Sequence, residues 1–403
     1  MSIQSEADQR NHRKLGQELE LFTSMEEAPG MPFFLPNGMV VRNELENLWR
    51  KKHKKAGYQE IKTPIMMKQE LWEQSGHWDH YHENMYFSNV DEQNYAIKPM
   101  NCPGAILIFN SKRRSYRELP IRFAELGLVH RHELSGSLNG LLRVRSFTQD
   151  DAHLFVRVDQ IESEIDKVLE IVDEFYSHFG FDYKVELSTR PDEFMGSEVI
   201  WDQAETALES VLQRKGVKYQ LNPGDGAFYG PKIDFHILDS LGRSWQCGTV
   251  QLDFLMPKKF NCSYVGEDNK LHQPVMIHRA IYGSVERFMA ILIEHFAGEF
   301  PLWLSPVQAK IIPIADSHSV YAEQVKSQLE SAGIRVEVDH RNEKMGLKIR
   351  EAEKQKIPYM LVIGNKEVEN HCLAVRKKKA GNVGVLSVEA IIELFMEEMN
   401  LIR

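Results

Sequence analysis

Cysteines and long apolar runs are both scarce in this sequence. Four cysteines in 403 residues are too few for a disulfide framework and are typical of a protein from a reducing cytosol. No run of about 18 uncharged apolar residues occurs, which argues against a membrane-spanning helix. Residues 1–13 are polar and lack the apolar core of a signal peptide. We therefore expect a cytoplasmic protein with no membrane partner.

Basic residues are outnumbered, with 49 Lys and Arg against 58 Asp and Glu, and the net charge is −9. This balance argues against a protein that coats nucleic acid by bulk charge, although a local basic site is compatible with it. The sequence also has no internal repeat and no low-complexity tract. Its length suggests two or three domains, and 42% apolar residues are enough to fill their cores.

Hydrophobic periodicity divides the chain into two parts that meet near Ser305. Before this point, helices are predicted at 9–21, 42–55, 161–179 and 201–213, and several strands follow one another directly. Consecutive strands without intervening helices indicate an antiparallel sheet with helices packed on it. After this point, strands and helices alternate, which predicts a mostly parallel sheet in a small α/β domain of about 100 residues.

Residues 121–154 are predicted to form a long hairpin, and alternation places six side chains on one face of its second strand: Arg143, Arg145, Phe147, Gln149, Asp151 and His153. Such a face is costly to bury without a ligand, and the alternative is a solvated face with a salt bridge. With Arg131, three arginines would converge on Phe147, which suits a polyphosphate attached to a flat base. No G-x-x-x-x-G-K-[ST] segment occurs, so a nucleotide would be bound on the sheet by arginines.

Several segments resemble the motifs of class II aminoacyl-tRNA synthetases. EIKTP at 60–64 resembles motif 1, HRHE at 130–133 with RVRSF at 143–147 resembles motif 2, and GSVER at 283–287 resembles motif 3. Five further segments are similar to those of the threonyl-tRNA synthetases: KPMNCPG at 98–104, FTQDDAH at 147–153, AFYGPK at 227–232, WQCGTVQLD at 245–253 and VMIHRA at 275–280. The resemblance covers nearly all of residues 9–400.

The resemblance implies an α+β catalytic domain with an antiparallel sheet, the class II synthetase fold, followed by a small α/β anticodon-binding domain. It assigns residues 22–304 to the catalytic domain and 305–403 to the anticodon-binding domain. Residues 1–21 would be a linker helix that remains from an N-terminal editing region, so this chain would not edit seryl-tRNA. The motif 1 region would form a homodimer.

A three-ligand zinc site is also implied by the resemblance, and it maps onto Cys102, His153 and His278. The intervals of 51 and 125 residues do not indicate a metal site by themselves, and a lone histidine among the sixteen present is more often structural. Thiolate and imidazole suit Zn²⁺, and three protein ligands leave a fourth position open. In the family this position takes the amino and hydroxyl groups of threonine, and Asp151 would accept the hydroxyl hydrogen.

The implied reaction activates threonine with ATP to threonyl-adenylate and then transfers it to the terminal ribose of tRNA(Thr). The residues assigned to ATP binding are Arg131, Glu133, Arg143, Phe147 and Arg287. Arg131 would bind the α-phosphate, Arg287 the γ-phosphate, and Mg²⁺ would bridge the phosphates. Ser284 is placed to cap the helix that carries Arg287. Without the motif, the simpler interpretation of Arg287 is a first-turn surface side chain that pairs with Glu286 or a neighbour.

Threonine and the α-phosphate would also meet a second group of residues: Met100, Tyr229, Lys232, Gln246 and Gln251. Gln246 and Gln251 fall on opposite faces of a regular strand. Both can point inward only if a bulge lies near Gly248. The family also suggests His77 as a proton relay near the terminal ribose, with a packing role as the alternative.

The C-terminal part would recognise the anticodon through four residues assigned by the family pattern: Asn342, Arg350, Glu367 and Arg376. Residues 305–403 carry 15 Lys and Arg against 14 Asp and Glu, which supports RNA contact only weakly. A carboxylate such as Glu367 can accept hydrogen bonds from the edge of a base and so distinguish one base from another. Contacts to phosphate carry no sequence information. Two other functions stay open, namely a synthetase paralogue used for regulation and a relative that charges serine, proline or glycine.

Overall fold

The computed structural model describes residues 9–239 and 242–400, and of Asn400 the backbone alone. The start of the predicted linker segment, 1–8, and the C-terminal residues 401–403 lie outside the described residues. None of the described helices combines the length and the apolar character needed to cross a membrane.

The described chain divides into two compact units. The large unit comprises residues 26–32 and 49–290, and the small unit comprises the described part of 1–25 together with 33–48 and 291–400. This division groups residues by their contacts, and its units are not continuous segments of the chain. The domain boundary at 304/305 therefore remains a prediction.

An eight-stranded sheet forms the centre of the large unit, in the order β5-β4-β6-β7-β8-β3-β2-β1. Its strands are β1 (Gln59–Glu60), β2 (Ile121–His130), β3 (Ser146–Val156), β4 (Tyr183–Ser188), β5 (Tyr219–Asn222), β6 (Lys232–Leu238), β7 (Ser244–Asp253) and β8 (Val275–Ser284). The β1–β2 and β4–β5 pairs are parallel, and the pairs between them are antiparallel. The antiparallel sheet predicted for this part of the chain is therefore confirmed.

The longer helices up to residue 295 are α1 (His12–Glu18), α2 (Pro36–Lys55), α3 (Cys102–Asn110), α4 (Ile161–His178), α5 (Glu198–Lys215) and α6 (Val285–His295). Helix α4 buries Ile165, Val168, Val172 and Phe175 on one face, as its periodicity predicts. Helix α2 begins six residues earlier than predicted, at Pro36, since proline is tolerated in the first turn of a helix.

The small unit contains a five-stranded sheet in the order β10-β9-β11-β12-β13. Its strands and helices are β9 (Ala309–Pro313), β10 (Val336–Val338), β11 (Tyr359–Ile363), β12 (Cys372–Lys377), β13 (Gly381–Ser387), α7 (Ser319–Ser331), α8 (Met345–Lys354) and α9 (Val388–Asn400). Only the β9–β10 and β9–β11 pairs are parallel. The prediction of a mostly parallel sheet was wrong, because two glycines in β13 obscure the strand that makes β12–β13 an antiparallel hairpin.

Shorter elements complete the described chain. The remaining strands are Phe22–Thr23 with Phe33–Phe34, Met66–Lys68 with Tyr86–Val90 and Gln93–Ile97, and Arg114–Ser115 with Tyr264–Val265 and Leu271–His272. The remaining α-helices are Gln69–Ser75, His77–Tyr81, Met256–Lys259 and Asn365–Glu369. Single 3₁₀ turns lie at His82–Asn84, Tyr116–Glu118, Ser135–Ser137, Val158–Gln160 and Asp316–His318.

Candidate active site

Cys102, His153 and His278 come together at the middle of the large sheet. His153 on β3 and His278 on β8 are directly paired across the antiparallel ladder, and Cys102 is the first residue of α3. One donor atom from each residue lies within 4.8 Å of the others, and all three side chains are buried. The pairing of two neighbouring strands thus closes the interval of 125 residues between His153 and His278, and the start of α3 brings in Cys102.

The electrostatics of this cluster suit a cation. Burial lowers the pKa of His153 well below its ordinary value, so the imidazole is neutral and can donate a lone pair. Burial raises the pKa of the Cys102 thiol, so a thiolate at neutral pH requires a positive charge beside it. His278 Nε2 lies 2.9 Å from Asp253 Oδ2, and Asp253 Oδ1 accepts hydrogen bonds from the backbone N–H groups of Leu255 and Met256.

Asp151 lies two residues before His153 on the same face of β3, and its Oδ1 is 3.7 Å from His153 Nε2. Burial raises the pKa of Asp151 to about 6. A hydrogen bond from Asn101 Nδ2 at 3.1 Å acts in the opposite direction, because it favours the carboxylate. Tyr229 is buried, and its ring centroid lies 5.3 Å from that of His278. Small polar ligands could therefore meet a carboxylate and a phenol beside the Cys/His cluster.

A cavity of about 200 Å³ opens on the same sheet, and all five residues assigned to ATP line it: Arg131, Glu133, Arg143, Phe147 and Arg287. The guanidinium of Arg131 lies 5.1 Å from the centroid of the Phe147 ring, and its Nε donates to the carbonyl of Pro99. Arg143 pairs with Glu133 at 3.3 Å. Cationic groups and an aromatic face are thus available in one cavity.

Arg287 points into this cavity, and the simpler interpretation of a surface pair with Glu286 was wrong. Its Nε and Nη1 donate to the carbonyls of Leu142 and Gln246, at 3.0 and 2.9 Å. Glu286 instead accepts a hydrogen bond from the backbone N–H of Thr148. The predicted cap is confirmed, because Ser284 Oγ accepts from the backbone N–H of Arg287 at 3.0 Å.

Arg145 does not join the other arginines, so the predicted convergence of three guanidinium groups was wrong. Its side chain donates to the carbonyls of Glu133 and Pro29 and to Ser135 Oγ. The strand β3 begins only at Ser146, so the alternation does not extend back to Arg145. Arg145 fastens the hairpin loop to the segment at 26–32.

The bulge predicted near Gly248 is confirmed. In the β6–β7 ladder, Phe235 pairs with Gly248 and His236 pairs with Gln246, which leaves Cys247 as the extra residue. Gln246 Nε2 reaches Asp234 Oδ1 at 2.7 Å. Gln251, on the other side of the bulge, is buried beside His278 in the ladder and donates from Nε2 to the carbonyl of Gly230.

Lys232 at the start of β6 is held by two carboxylates. Its Nζ lies 2.6 Å from Asp234 Oδ2 and 3.1 Å from Asp225 Oδ2. Burial lowers the pKa of Lys232, but the charges and hydrogen bonds of Asp234 and Asp225 together outweigh burial and raise it. Lys232 therefore remains an ammonium group at the edge of the site.

His77 lies beside the Cys/His cluster and is fully buried. Its Nδ1 is 2.7 Å from Ser75 Oγ, its Nε2 is 3.0 Å from Met100 Sδ, and Cys102 Sγ lies 3.9 Å away. Burial lowers the pKa of His77 to about 3, with help from His278 and Arg131. The neutral ring is packed next to Met100, and its role as a proton relay stays a prediction.

The four residues assigned to the anticodon lie on different elements of the small unit. Asn342 and Arg350 are exposed, before and within α8, and Arg376 is partly buried on β12. Glu367 Oε2 accepts from the backbone N–H of Gly364 at 2.9 Å, where it caps the short helix Asn365–Glu369. Their role in RNA recognition stays a prediction.

Asn101, Asp234 and Asp253 were missing from the sequence-based set, and Gln149 was placed on the same face as Phe147 but was given no role. Gln149 lines the cavity, and the alternation from Phe147 to His153 already indicated it. The other three act through hydrogen bonds to Asp151, Lys232 and His278. Period-two alternation carries no signal for such contacts between distant segments.

Comparison with known proteins identifies the two parts of the chain. The family model for the class II tRNA synthetase core domain (G, H, P, S and T) matches residues 86–296, and the model for an anticodon binding domain matches residues 308–398. These matches support a synthetase core that is followed by an anticodon-binding domain.

Curated relatives share most of this sequence. The threonine–tRNA ligase of Acetivibrio thermocellus is 61% identical over 392 residues, which cover 97% of this chain and 62% of the relative. The threonine–tRNA ligase of Carboxydothermus hydrogenoformans is 59% identical over 399 residues, which cover 99% of this chain and 63% of the relative. The chain thus spans less than two thirds of the length of these relatives.

Solved structures agree in fold. A crystal structure described as the RNA binding domain of threonyl-tRNA synthetase from Cryptosporidium parvum has a TM-score of 0.94 and 42% identity, covering 96% of this chain and 98% of that one. A putative threonyl-tRNA synthetase from Aeropyrum pernix has a TM-score of 0.82 and 30% identity, with 97% of each chain covered. The chain therefore belongs to the class II aminoacyl-tRNA synthetases, in the threonyl-tRNA synthetase family.

Proposed function

We propose that this chain is a threonine–tRNA ligase that activates threonine with ATP and charges tRNA(Thr). The observation that carries the proposal is the buried cluster of Cys102, His153 and His278 beside Asp151, on the same sheet as the arginine-lined cavity. Family membership and the match of 86–296 to a synthetase core support the same activity. Solved prolyl-tRNA synthetases are 16–17% identical and support the fold alone.

The Cys/His cluster fits Zn²⁺. The set has one thiol and two imidazoles in burial, and Asp253 binds Nε2 of His278, which leaves Nδ1 of that ring as its metal-binding nitrogen. When bound, Zn²⁺ would supply an open coordination position for the amino and hydroxyl groups of threonine. Asp151 would accept the hydroxyl hydrogen, and Met100, Tyr229 and Gln251 would enclose the amino acid. Valine lacks the hydroxyl and would leave Asp151 without its partner.

Activation forms a bond between a carboxylate oxygen of threonine and the α-phosphorus of ATP, and it breaks the bond to pyrophosphate, which leaves. Mg²⁺ bound to ATP would offset the negative charge of the phosphates. Arg131 would hold the α-phosphate and Arg287 the γ-phosphate, because guanidinium groups bind phosphate bidentately. Phe147 would stack on adenine, whose amino group would donate to Glu133. Lys232 and Gln246 would complete the α-phosphate end of the site.

In the second step, the terminal ribose hydroxyl of tRNA attacks the carbonyl carbon of threonyl-adenylate and AMP leaves. His77 is proposed to act near this ribose. Asn342, Arg350, Glu367 and Arg376 are proposed to contact the anticodon. We also propose a homodimer through the motif 1 region at 60–64, and domain boundaries at 21/22 and 304/305.

Pyrophosphate exchange with ATP tests the proposal directly. We expect exchange that depends on threonine and is absent with valine. Serine can keep both polar contacts, so its kcat/KM is expected to fall by only about 10- to 200-fold, the range for a missing methyl group in a pocket. Exchange that is absent with threonine, or equal with valine, would overturn the proposal.

A pair of arginine variants ties this activity to the cavity. Arg287→Met should abolish most of the exchange, because the proposed γ-phosphate contact is lost. Arg214→Met is the matched control, since Arg214 lies on α5 and pairs with Glu162 and Asp166. Equal exchange in both variants would place the phosphates elsewhere.

A further inference from the structure

Asp234 on β6 is a fully buried carboxylate that collects four side-chain donors. Oδ2 accepts from Lys232 Nζ at 2.6 Å and from Ser188 Oγ at 3.0 Å. Oδ1 accepts from Gln246 Nε2 at 2.7 Å and from Thr249 Oγ1 at 2.9 Å. Each oxygen therefore has two donors, which offsets the cost of burying the charge.

Three strands build this network. Ser188 on β4 pairs with Lys232, and Thr249 on β7 pairs with Asp234, so these side chains share one face of the sheet. Gln246 reaches the same face because of the bulge at Cys247. Asp234 is thus the common acceptor for residues from β4, β6 and β7.

The network also fixes the orientation of the Gln246 amide. A carboxylate accepts hydrogen bonds and donates none, so the amide atom next to Asp234 is Nε2. The remaining Gln246 atom, Oε1, is then free to accept. Gln246 and Thr249 line the arginine-rich cavity, so this edge of the cavity offers an acceptor to a hydroxyl or N–H group of a ligand.

We propose that Asp234 is a positioning residue for adenylate formation: it holds the Lys232 ammonium at the α-phosphate end and turns Gln246 so that Oε1 accepts a ribose hydroxyl. This inference rests on the proposed function. Lys232 has three N–H groups, so it can keep Asp234 and Asp225 as partners while the third reaches a phosphate. The carboxylate itself would touch neither ATP nor threonine.

Asp234→Asn tests the proposal, because it keeps the shape of the side chain but places an N–H group among the donors. We expect kcat for pyrophosphate exchange to fall by about 100-fold, the loss associated with reacting groups displaced by about 1 Å. KM for threonine should change less than about twofold, because the Cys/His cluster is untouched. Glu186→Gln, on β4 and bonded to Asn222 and His236, is the matched control and should keep wild-type kcat.

Coupling with Lys232 separates positioning from a general structural effect. If Asp234 acts through Lys232, Lys232→Met added to Asp234→Asn should lower kcat little beyond the larger single effect. Additive losses, or a wild-type kcat in Asp234→Asn, would overturn the proposal. If wild type shows no threonine-dependent exchange, the proposed function fails instead.

A second double-mutant cycle leaves Asp234 unchanged and can be used if the Asp234→Asn variant does not fold. Lys232→Met and Gln246→Ala are combined in a chain that retains the carboxylate. Because both residues bind Asp234, the effects on kcat should be non-additive. Strict additivity would contradict a shared positioning carboxylate.

Discussion

Asp253 shows how single residues prepare the Cys/His cluster. Its Oδ1 is bound by two backbone N–H groups, and its Oδ2 holds Nε2 of His278, so the imidazole cannot rotate freely. An outer carboxylate of this kind fixes the tautomer and the orientation of the imidazole that it binds. The orientation of His278 is therefore set by the protein before any ligand binds.

Cys102→Ser is expected to lose about one equivalent of zinc per chain and most of the threonine activation, since a serine hydroxyl is a poor zinc ligand. Metal analysis of the purified variant together with pyrophosphate exchange checks this. Cys262→Ser is the matched control, because Cys262 is equally buried but lies outside the cluster. A Cys102→Ser enzyme that is fully active without zinc would contradict the assignment.

At the residue level, a strand pattern or a family motif pointed to residues that lie together in the structure. The family resemblance named Cys102, His153 and His278, which the structure brings together, although their spacing gives no such signal. Asn101 and Asp253 went unrecognised because each acts through a hydrogen bond to a residue 50 or 25 positions away. Such contacts depend on the tertiary fold and not on local pattern.

At the scale of elements, the junction between β8 and α6 depends on Gly283. Its φ of +77° lies in the left-handed region, and a Cβ atom there would approach the carbonyl oxygen of Cys247 to 2.3 Å. The ladder between β8 and β3 is irregular at the same place, between Ala280 and Ser284. The junction thus positions Arg287 through a turn that only glycine fits.

Gly283→Ala should lower the free energy of unfolding by more than the roughly 1 kcal/mol that left-handed backbone alone costs a side chain. Denaturant unfolding measures this, and exchange activity should fall with the displaced Arg287. Gly216→Ala separates the two causes, because Gly216 has a φ of +67° but open space around it. Equal losses in both variants would show that the contact with Cys247 is unimportant.

Elements were predictable where apolar periodicity was long and undisturbed. Helices α4 and α5 were recognised for this reason, and the antiparallel sheet followed from consecutive strands. Strand β13 was missed because Gly381 and Gly384 weaken its pattern, and this one omission changed the predicted sheet from mixed to mostly parallel. A short glycine-rich strand is therefore hard to predict from its own sequence, and its pairing with a neighbouring strand reveals it.

At the scale of the whole molecule, the net charge of −9 conceals local clusters in which positive side chains predominate. In the small unit, Glu299 is contacted by Lys356, Lys378 and Lys379. Burial alone would raise the pKa of Glu299, but hydrogen bonds from Lys378 and Lys379 outweigh it and lower this pKa to about 2. Three chain segments are therefore held together by one ionised carboxylate.

This cluster predicts a pH dependence of stability. Because the pKa of Glu299 is about 2 in the fold against an ordinary value of 4.5, its contribution is complete above pH 4.5 and is lost as the pH falls toward 2. Urea unfolding of wild type and Glu299→Gln should therefore differ at pH 7 and converge at low pH. Glu343→Gln, an exposed carboxylate of the same unit, is the control and should show no such convergence.

The bulge at Cys247 has a consequence for how this stretch of chain can vary in length. Five positions separate Gln246 from Gln251, and both point inward only because one residue stands outside the ladder. Inserting or removing a single residue between them would reverse the facing of one glutamine, whereas a change of two would restore it. Side chains in this segment can therefore be exchanged, but its length is expected to change only by an even number of residues.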